Sequence, residues 1–166
     1  MDVFQFRSEI IRPTLTAIHL WSPAAEQLLL GTAVHESSGL RYVRQLPRIK
    51  DGKQVQGPAR GFYQIEPETA EEIIKRRMFG DKSILGDRFR TVTMFGPGDD
   101  LNARLVGDMI FGTVIARLKY WDAQAPLPLA GDMPAMARYW WLHYHGDVGP
   151  NKERDFLNSY ERWVRP

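Results

Sequence analysis

Residues 22–40 read SPAAEQLLLGTAVHESSGL, and this stretch predicts one helix with a carboxylate near its end. Ser22 is a favoured helix N-cap, and Pro23 suits the first helical position. Gly39 is the residue type that commonly ends a helix. Residues at helical spacing form one largely apolar face, and Glu36 closes it. That face consists of Ala25, Leu28, Leu29, Thr32 and Glu36.

Residues 41–60 interrupt the helical pattern. Asp51 and Gly52 form a dipeptide that favours a tight hairpin turn. Pro47 and Pro58 restrict the flanking strands to a few residues, because proline cannot donate a ladder hydrogen bond. We therefore expect a small β-hairpin lobe between two helical regions.

The remaining elements predict a mostly α fold with a small β element, in one domain spanning residues 1–166. Residues 100–122 are apolar on nearly every side and predict a buried central helix, capped by Asp99 or Asp100. Residues 80–98 contain several glycines and predict an irregular segment. Further helices are expected over 9–20, started or interrupted at Pro13, from Pro67 to Gly80, from Asp132 through Trp141, and after Asn151.

Composition limits the classes of function. The chain has 166 residues, 43% of them hydrophobic, which suits one domain with a substantial core. The net charge of +2 is too small to indicate a nucleic-acid-binding protein. The basic run 75–77 follows acidic residues, so it predicts a solvated helix face. Because the chain lacks cysteine, disulfides, thiol catalysis and cysteine-ligated metals are excluded.

Three short segments stand out for their chemistry. The first, residues 35–40, reads HESSGL and closes the helix that begins at Pro23. The second, residues 57–70, reads GPARGFYQIEPETA and leads into a helix. The third, residues 143–146, reads HYHG and leaves a helix.

In this order, the segments resemble the motifs of the lytic transglycosylases of the lysozyme superfamily. That family closes a helix with Glu-Ser, as Glu36 and Ser37 do here. Its second motif, Gly-Leu-Met-Gln-Ile followed by Pro and Thr-Ala, is matched by residues 61–70, with Phe-Tyr in the place of Leu-Met. Its third motif, Ala-Tyr-Asn, is matched at Tyr144, with His145 in the place of Asn.

The resemblance spans roughly residues 22–148 and implies a lysozyme-like fold, a helical domain around a buried central helix with a small hairpin lobe. It also implies Glu36 as the catalytic acid and peptidoglycan glycan strands as the substrate. Tyr63 would offer a stacking and hydrogen-bonding surface to sugar, and Tyr144 would lie near Glu36 and orient it. The residues implied to bind substrate are Ser37, Gly61, Phe62, Tyr63, Gln64, Ile65 and Tyr144.

The residues themselves support the same role for Glu36. Cleavage of a glycosidic bond requires a carboxyl group that is protonated near neutral pH. Burial on an apolar helix face raises a carboxyl pKa, because the charged form loses its water. The alternative is a structural glutamate paired with Arg41 or Arg44.

No second carboxylate is clearly placed, although glycosidases normally use two. The resemblance implies that one glutamate acts first as acid and then as base, while a muramyl hydroxyl attacks and leaves an anhydromuramyl end. Asp51 or Glu66 could instead position a water molecule, which would give a hydrolase. The sequence leaves both possibilities open.

The other aromatic and histidine residues predict structural roles. Aromatic residues 139–141 on a helix are more often core than sugar-binding. His143 and His145 are two positions apart and do not share a helix face, so we expect no metal site. We expect no cofactor either.

The sequence therefore predicts a muralytic enzyme that cleaves the MurNAc–GlcNAc bond. The alternative is a catalytically inactive lysozyme-like protein that serves as a structural or assembly component of a phage particle. We expect no signal peptide, no membrane span and no nucleic-acid partner. The protein would then reach the cell wall in a phage virion, by holin-type release or by means of a leader that is later removed. In a virion, other phage proteins would be its partners.

Overall fold

Helices dominate the molecule, and two short strands form a hairpin. The computed structural model describes residues 1–79, 84–146 and 151–164. Helices account for 63% and strands for 5%, so the predicted mostly α class with a small β element is confirmed. In chain order the elements are α1 (Val3–Gln5), π1 (Phe6–Ile11), α2 (Arg12–Ala17), α3 (Pro23–Glu36), β1 (Arg48–Lys50), β2 (Lys53–Val55), α4 (Pro67–Ile73), π2 (Ile74–Phe79), α5 (Ile84–Thr93), α6 (Leu101–Gly107), α7 (Met109–Asp122), α8 (Met133–Trp140), π3 (Trp141–His145) and α9 (Lys152–Val164).

The first helical segment runs through α1, π1 and α2, so it begins earlier than the predicted residue 9. Asp2 caps it by accepting a hydrogen bond from the Gln5 amide at 2.9 Å. Pro13 lies at the start of α2, just after the π-helical turn. Proline has no backbone donor, so the regular α-helical hydrogen-bond pattern cannot continue unchanged through this position.

The helix α3 forms as predicted. The Ser22 hydroxyl accepts a hydrogen bond from the Ala25 amide at 3.0 Å, and Pro23 occupies the first turn. The helix ends at Glu36, and the chain then reverses through left-handed residues that include Gly39 (φ 76°). At Gly31, a Cβ would lie 2.6 Å from the Phe156 ring, so glycine allows α9 to pack closely against α3.

The predicted continuous helix over residues 100–122 is wrong in one respect: it is two helices, α6 and α7, separated at Asp108. Asp108 has an extended backbone, and its carboxylate accepts a hydrogen bond from the Phe111 amide at 2.8 Å. A capping aspartate after Gly107 thus starts a new helix where apolar periodicity alone predicts a continuous one. The predicted buried central helix is α7, in which residues 111–118 are all buried.

The prediction of an irregular segment over residues 80–98 is also wrong for its middle part, which is α5. Leu85, Phe89 and Val92 lie at helical spacing and pack into the core. Gly86 is buried within this helix, so its small size serves packing rather than chain reversal. The predicted stop at Gly80 lies outside the described residues.

The hairpin turns at Asp51 and Gly52, as the sequence predicts. Both residues have positive φ, as a tight hairpin turn of this kind requires. The register pairs Arg48 with Val55 and Lys50 with Lys53. The extended lobe continues past the strands, because Arg60 pairs with Arg44 on one side and with Ile65 on the other.

The C-terminal helices complete the core. Asp132 caps α8, as expected, by accepting a hydrogen bond from the Ala135 amide at 3.1 Å. The helix expected after Asn151 is α9, and its residues Phe156, Tyr160 and Val164 are buried. In the described part of the chain, no helix combines the length and apolarity needed to cross a membrane.

Candidate active site

Glu36 lies at the last position of α3, where the helix meets a cleft. Its side chain is half-buried, and the Trp140 indole nitrogen donates a hydrogen bond to Oε1 at 3.1 Å. Trp140 is fully buried at the end of α8, so a rigid wall holds the donor. The carboxyl group is thereby fixed in orientation while part of it faces the cleft.

Burial raises the pKa of Glu36 to about 7 from its ordinary value of 4.5. The hydrogen bond from Trp140 and the positive charges of Lys119 and Lys152 act in the opposite direction, but they do not outweigh the loss of water. A carboxyl group with this pKa is half protonated at neutral pH. It can therefore donate a proton and later accept one.

A cleft of about 590 Å³ opens in front of Glu36. One wall comes from helices, with Lys119 on α7 and Tyr144 in π3. The other wall comes from the loop before β1 and from the segment that leads into α4. The lining residues are Glu36, Ser38, Tyr42, Arg44, Gln45, Leu46, Ala59, Gln64, Glu66, Thr69, Lys119, Tyr144 and His145.

A tight turn over residues 61–64 forms the part of the wall that the second motif supplies. The backbone groups of Arg60 and Ile65 exchange two hydrogen bonds of 2.9 Å, and the turn lies between them. Gly61 has φ 71°, and a Cβ there would lie 2.3 Å from the Leu105 carbonyl oxygen, so only glycine fits against α6.

The same turn is joined to the third motif. The Tyr144 hydroxyl donates a hydrogen bond of 2.7 Å to the Tyr63 carbonyl oxygen. Gln64 also has positive φ, and its side-chain amide donates to the Gly61 carbonyl oxygen at 2.8 Å. The second and third motifs are thus held together beside Glu36.

The structure brings three predicted site residues to the cleft: Glu36, Gln64 and Tyr144. Tyr144 lies near Glu36, as predicted, but its hydroxyl is bonded to Tyr63. The residue that holds the carboxyl group of Glu36 by a hydrogen bond is Trp140.

Four predicted substrate contacts do not line the cleft. The Tyr63 side chain is 2% exposed and its hydroxyl lies 3.2 Å from that of Thr113, so the predicted sugar-facing surface on Tyr63 is wrong. Ile65 is buried as well. Gly61 contacts α6, and Phe62 packs edge-on against Phe6.

Ser37 is the fifth predicted contact that the cleft does not include. It is fully buried, and its hydroxyl donates to the Ala33 carbonyl oxygen at 2.6 Å and accepts from the Leu40 amide at 2.9 Å. The hydroxyl thus bonds to the last turn of α3 on one side and to the chain reversal that follows on the other. Ser37 therefore supports the position of Glu36 without facing a ligand.

Several cleft residues were not predicted. Trp140 was expected to be core, which is correct, but its role as the partner of Glu36 comes from a contact across 104 positions of sequence. Lys119 is a charged residue within the mostly buried stretch 111–120 of α7, and this pattern is the signal by which the sequence could have indicated it. Its ammonium lies 4.1 Å from the centre of the Tyr144 ring.

The arginines considered as partners of Glu36 do not pair with it in the described ranges, and only one of the two candidate second carboxylates lies in the cleft. Arg41 lies over the Trp163 ring at 5.0 Å, and no ion pair joins Glu36 to Arg41 or Arg44 in the described ranges. Of the two water-positioning candidates, Glu66 lines the cleft. Asp51 lies on the exposed hairpin turn and does not line it.

The histidines around α8 serve packing and positioning. His35 Nδ1 lies 2.9 Å from the Ser159 hydroxyl, and burial lowers the pKa of His35 to about 4. His145 stacks on Trp140 with ring centroids 5.0 Å apart. Among the residues that the structure describes, no group of three or more histidine or acidic side chains could hold a metal ion.

Comparison with known proteins adds no relative. No family model, curated protein or solved structure matches this chain. The functional argument therefore depends on the residues of the cleft and on their geometry.

Proposed function

We propose that this protein cleaves the MurNAc–GlcNAc glycosidic bond of peptidoglycan, with Glu36 as general acid and base. The observation that carries the proposal is the state of Glu36, a carboxyl group with a pKa of about 7 at the wall of an open cleft. Such a group is the acid that glycoside cleavage requires.

The chemistry follows from that group. Protonated Glu36 donates its proton to the glycosidic oxygen as the bond to the muramyl carbon breaks. The carboxylate that remains then takes a proton from the attacking hydroxyl, which restores the acid. Trp140 positions the carboxyl group through its hydrogen bond at 3.1 Å.

The architecture supports a lysozyme-like fold as part of the proposal. The buried helix α7 lies at the centre of the helices, and the hairpin lobe contributes the opposite wall of the cleft. The motif segments that resemble the lytic transglycosylases meet at this cleft, through Glu36, Gln64 and Tyr144.

Two reaction modes differ in the attacking group. In transglycosylation, a hydroxyl of the same muramyl sugar attacks and no second carboxylate is needed. In hydrolysis, a carboxylate positions water, and Glu66 lies in the cleft where it could do so. Asp51 is not a candidate for positioning this water, because it lies on the exposed hairpin turn outside the cleft.

The test is digestion of purified peptidoglycan, with released fragments identified by mass spectrometry. We expect wild-type protein to release muropeptides and the Glu36→Gln variant to be about 10²–10⁴-fold slower. Glu66→Gln has a matched control in Glu68→Gln, because Glu68 is exposed on the same segment but outside the cleft.

The fragment ends decide the mode. Anhydromuramyl ends with an active Glu66→Gln variant indicate transglycosylation. Reducing ends with an inactive Glu66→Gln variant indicate hydrolysis. A folded wild type that releases nothing contradicts the enzymatic proposal and favours the inactive, structural role in a phage particle.

A further inference from the structure

A second cavity lies on the side of α7 that faces away from the cleft. Arg117 and Trp121 are four positions apart and share one helix face, whereas Lys119 of the cleft lies between them in sequence and points to the other side. This cavity has a volume of about 600 Å³ and shares no lining residue with the cleft.

Arg117 is the unusual residue of this cavity. It is 6% exposed, and its Nε is buried without a hydrogen-bond partner. Within the described ranges it forms no ion pair, and its guanidinium carbon lies 5.3 Å from the centre of the Trp121 ring. The face of an indole ring attracts a cation. It does not, however, replace the hydrogen-bond acceptors that the five N–H donors of a guanidinium require.

No acidic side chain is among the described residues that line this cavity, and Asp122, which follows Trp121 in the sequence, is paired with two other arginines. Asp122 accepts hydrogen bonds from Arg76 at 2.5 Å and from Arg77 at 2.6 Å. Arg77 also lines the cavity, so two guanidinium groups face it and one carboxylate, shared with Arg76, offsets them only in part. The cavity therefore carries an uncompensated positive charge.

A buried guanidinium without an anion is unfavourable, and burial lowers the pKa of Arg117 accordingly. The other lining side chains are mostly apolar or aromatic, such as Trp121, Leu127 and Tyr139, and Gln124 adds one polar group. The Tyr139 hydroxyl is already bonded to the Ala125 carbonyl oxygen at 2.8 Å, so this wall offers a ring face. An anion with an apolar or aromatic substituent matches both features.

From this geometry we infer that Arg117 and Arg77 form a binding site for a carboxylate that carries an apolar or aromatic group. The guanidinium of Arg117 would donate two hydrogen bonds to the carboxylate oxygens, and the substituent would lie against Trp121 and Leu127. The site is independent of the proposed activity, since it shares no residue with the cleft.

The test is calorimetric titration of the full chain with benzoate, and with benzamide as a neutral molecule of the same shape. We expect benzoate to bind at least about tenfold more tightly than benzamide, because the charge-assisted pair exists only with the anion. Inorganic phosphate separates a general anion site from a carboxylate site. Equal binding of benzoate and benzamide, or tighter binding of phosphate, contradicts the inference.

The variants locate the binding. Arg117→Met removes the guanidinium but keeps the length of the side chain, and we expect it to abolish the preference for benzoate. Arg138→Met removes one charge from an exposed position of α8 and should bind benzoate as the wild type does. Retention of tight benzoate binding by folded Arg117→Met overturns the assignment. Glu36→Gln should bind benzoate normally, whether or not the cleft is an active site.

Discussion

Helix α3 carries two glutamates whose environments shift the pKa of the carboxyl group in opposite directions. Glu26, in its first turn, is 1% exposed, and Glu36, at its end, is half-buried. Burial alone would raise the pKa of Glu26, but hydrogen bonds from Arg12, Trp21 and Arg7 outweigh it and lower that pKa to about 2. Burial raises the pKa of Glu36 to about 7, because the hydrogen bond from Trp140 and the charges of Lys119 and Lys152 do not outweigh the loss of water.

The difference shows that partners, rather than depth, decide whether a buried carboxyl group is charged. Glu26 has two guanidinium groups within 2.5 and 2.8 Å, so its negative charge stabilises the fold. Glu36 has no ion pair in the described part of the chain, so it is poised to exchange a proton. One helix thus holds a structural carboxylate and a candidate acid ten positions apart.

The largest expected effect concerns stability at Glu36. Its folded pKa of about 7 exceeds the ordinary 4.5, so its contribution is fully present below pH 4.5 and is lost as the pH rises through 7. The loss amounts to up to about 3 kcal/mol. Glu36→Gln stays neutral, so its free energy of unfolding should exceed that of the wild type at pH 8 and match it near pH 4.5. Urea unfolding at both pH values measures this, and a pH-independent difference would contradict it.

Glu26 should show the opposite dependence. Its folded pKa of about 2 lies below 4.5, so its contribution is present above pH 4.5 and is lost as the pH falls toward 2. Glu26→Gln should lower the free energy of unfolding at pH 7 by about 2 kcal/mol, with a smaller loss at low pH. The Arg7 and Arg12 side chains are 37% and 52% exposed, so water limits the penalty of leaving them unpaired.

A matched control for Glu26 is Glu9→Gln. Glu9 is exposed, and its carboxylate accepts a hydrogen bond only from Ser8 among the described residues. This substitution should change the free energy of unfolding by less than about 0.5 kcal/mol. If Glu26→Gln is equally mild, the arginine pairs do not stabilise the fold.

The sequence predicts local features of this comparison well. The cap at Ser22 and the hairpin turn at Asp51 each depend on a few adjacent residues, and both are present. The helix α3 ends at Glu36, two to three residues before the expected end near Ser38 and Gly39. Periodicity also identified α7 as the buried helix. The ends of helices are harder to predict from the sequence. At Asp108, a capping residue starts a new helix within an apolar pattern that by itself predicts one continuous helix.

The sequence does not predict which side chains meet. The bond between Trp140 and Glu36 spans 104 positions, and the two arginines that pair with Glu26 come from separate turns of the first helical segment. Tyr63 and Gln64 are adjacent, yet one is buried and the other lines the cleft. Their directions depend on the tight turn, which is set by contacts with α6 and π3.

A smaller effect is expected at Trp140. Trp140→Phe removes the indole donor, a loss of about 1 kcal/mol, while keeping most of the ring in the core. Because that hydrogen bond favours the carboxylate, the pKa of Glu36 should rise further above 7. If the proposed peptidoglycan cleavage depends on this group, the pH at which cleavage declines on the alkaline side should therefore increase. Trp121→Phe, on the far side of α7, should leave this pH unchanged.

The smallest effect is expected at Lys119, which acts on Glu36 through charge alone. Lys119→Met removes the cation but keeps an apolar chain against the Tyr144 ring. Since the positive charge favours the carboxylate, its loss should also raise the pKa of Glu36, and high salt should mimic it weakly in the wild type. The measurement is the alkaline decline of cleavage in both proteins at low and high salt. An unchanged decline in Lys119→Met would mean that Lys119 does not set the proton affinity of Glu36, which would then depend on burial, Trp140 and Lys152. The contrast with Glu26 would then be sharper, because Glu26 is held charged by direct contacts with two guanidinium groups.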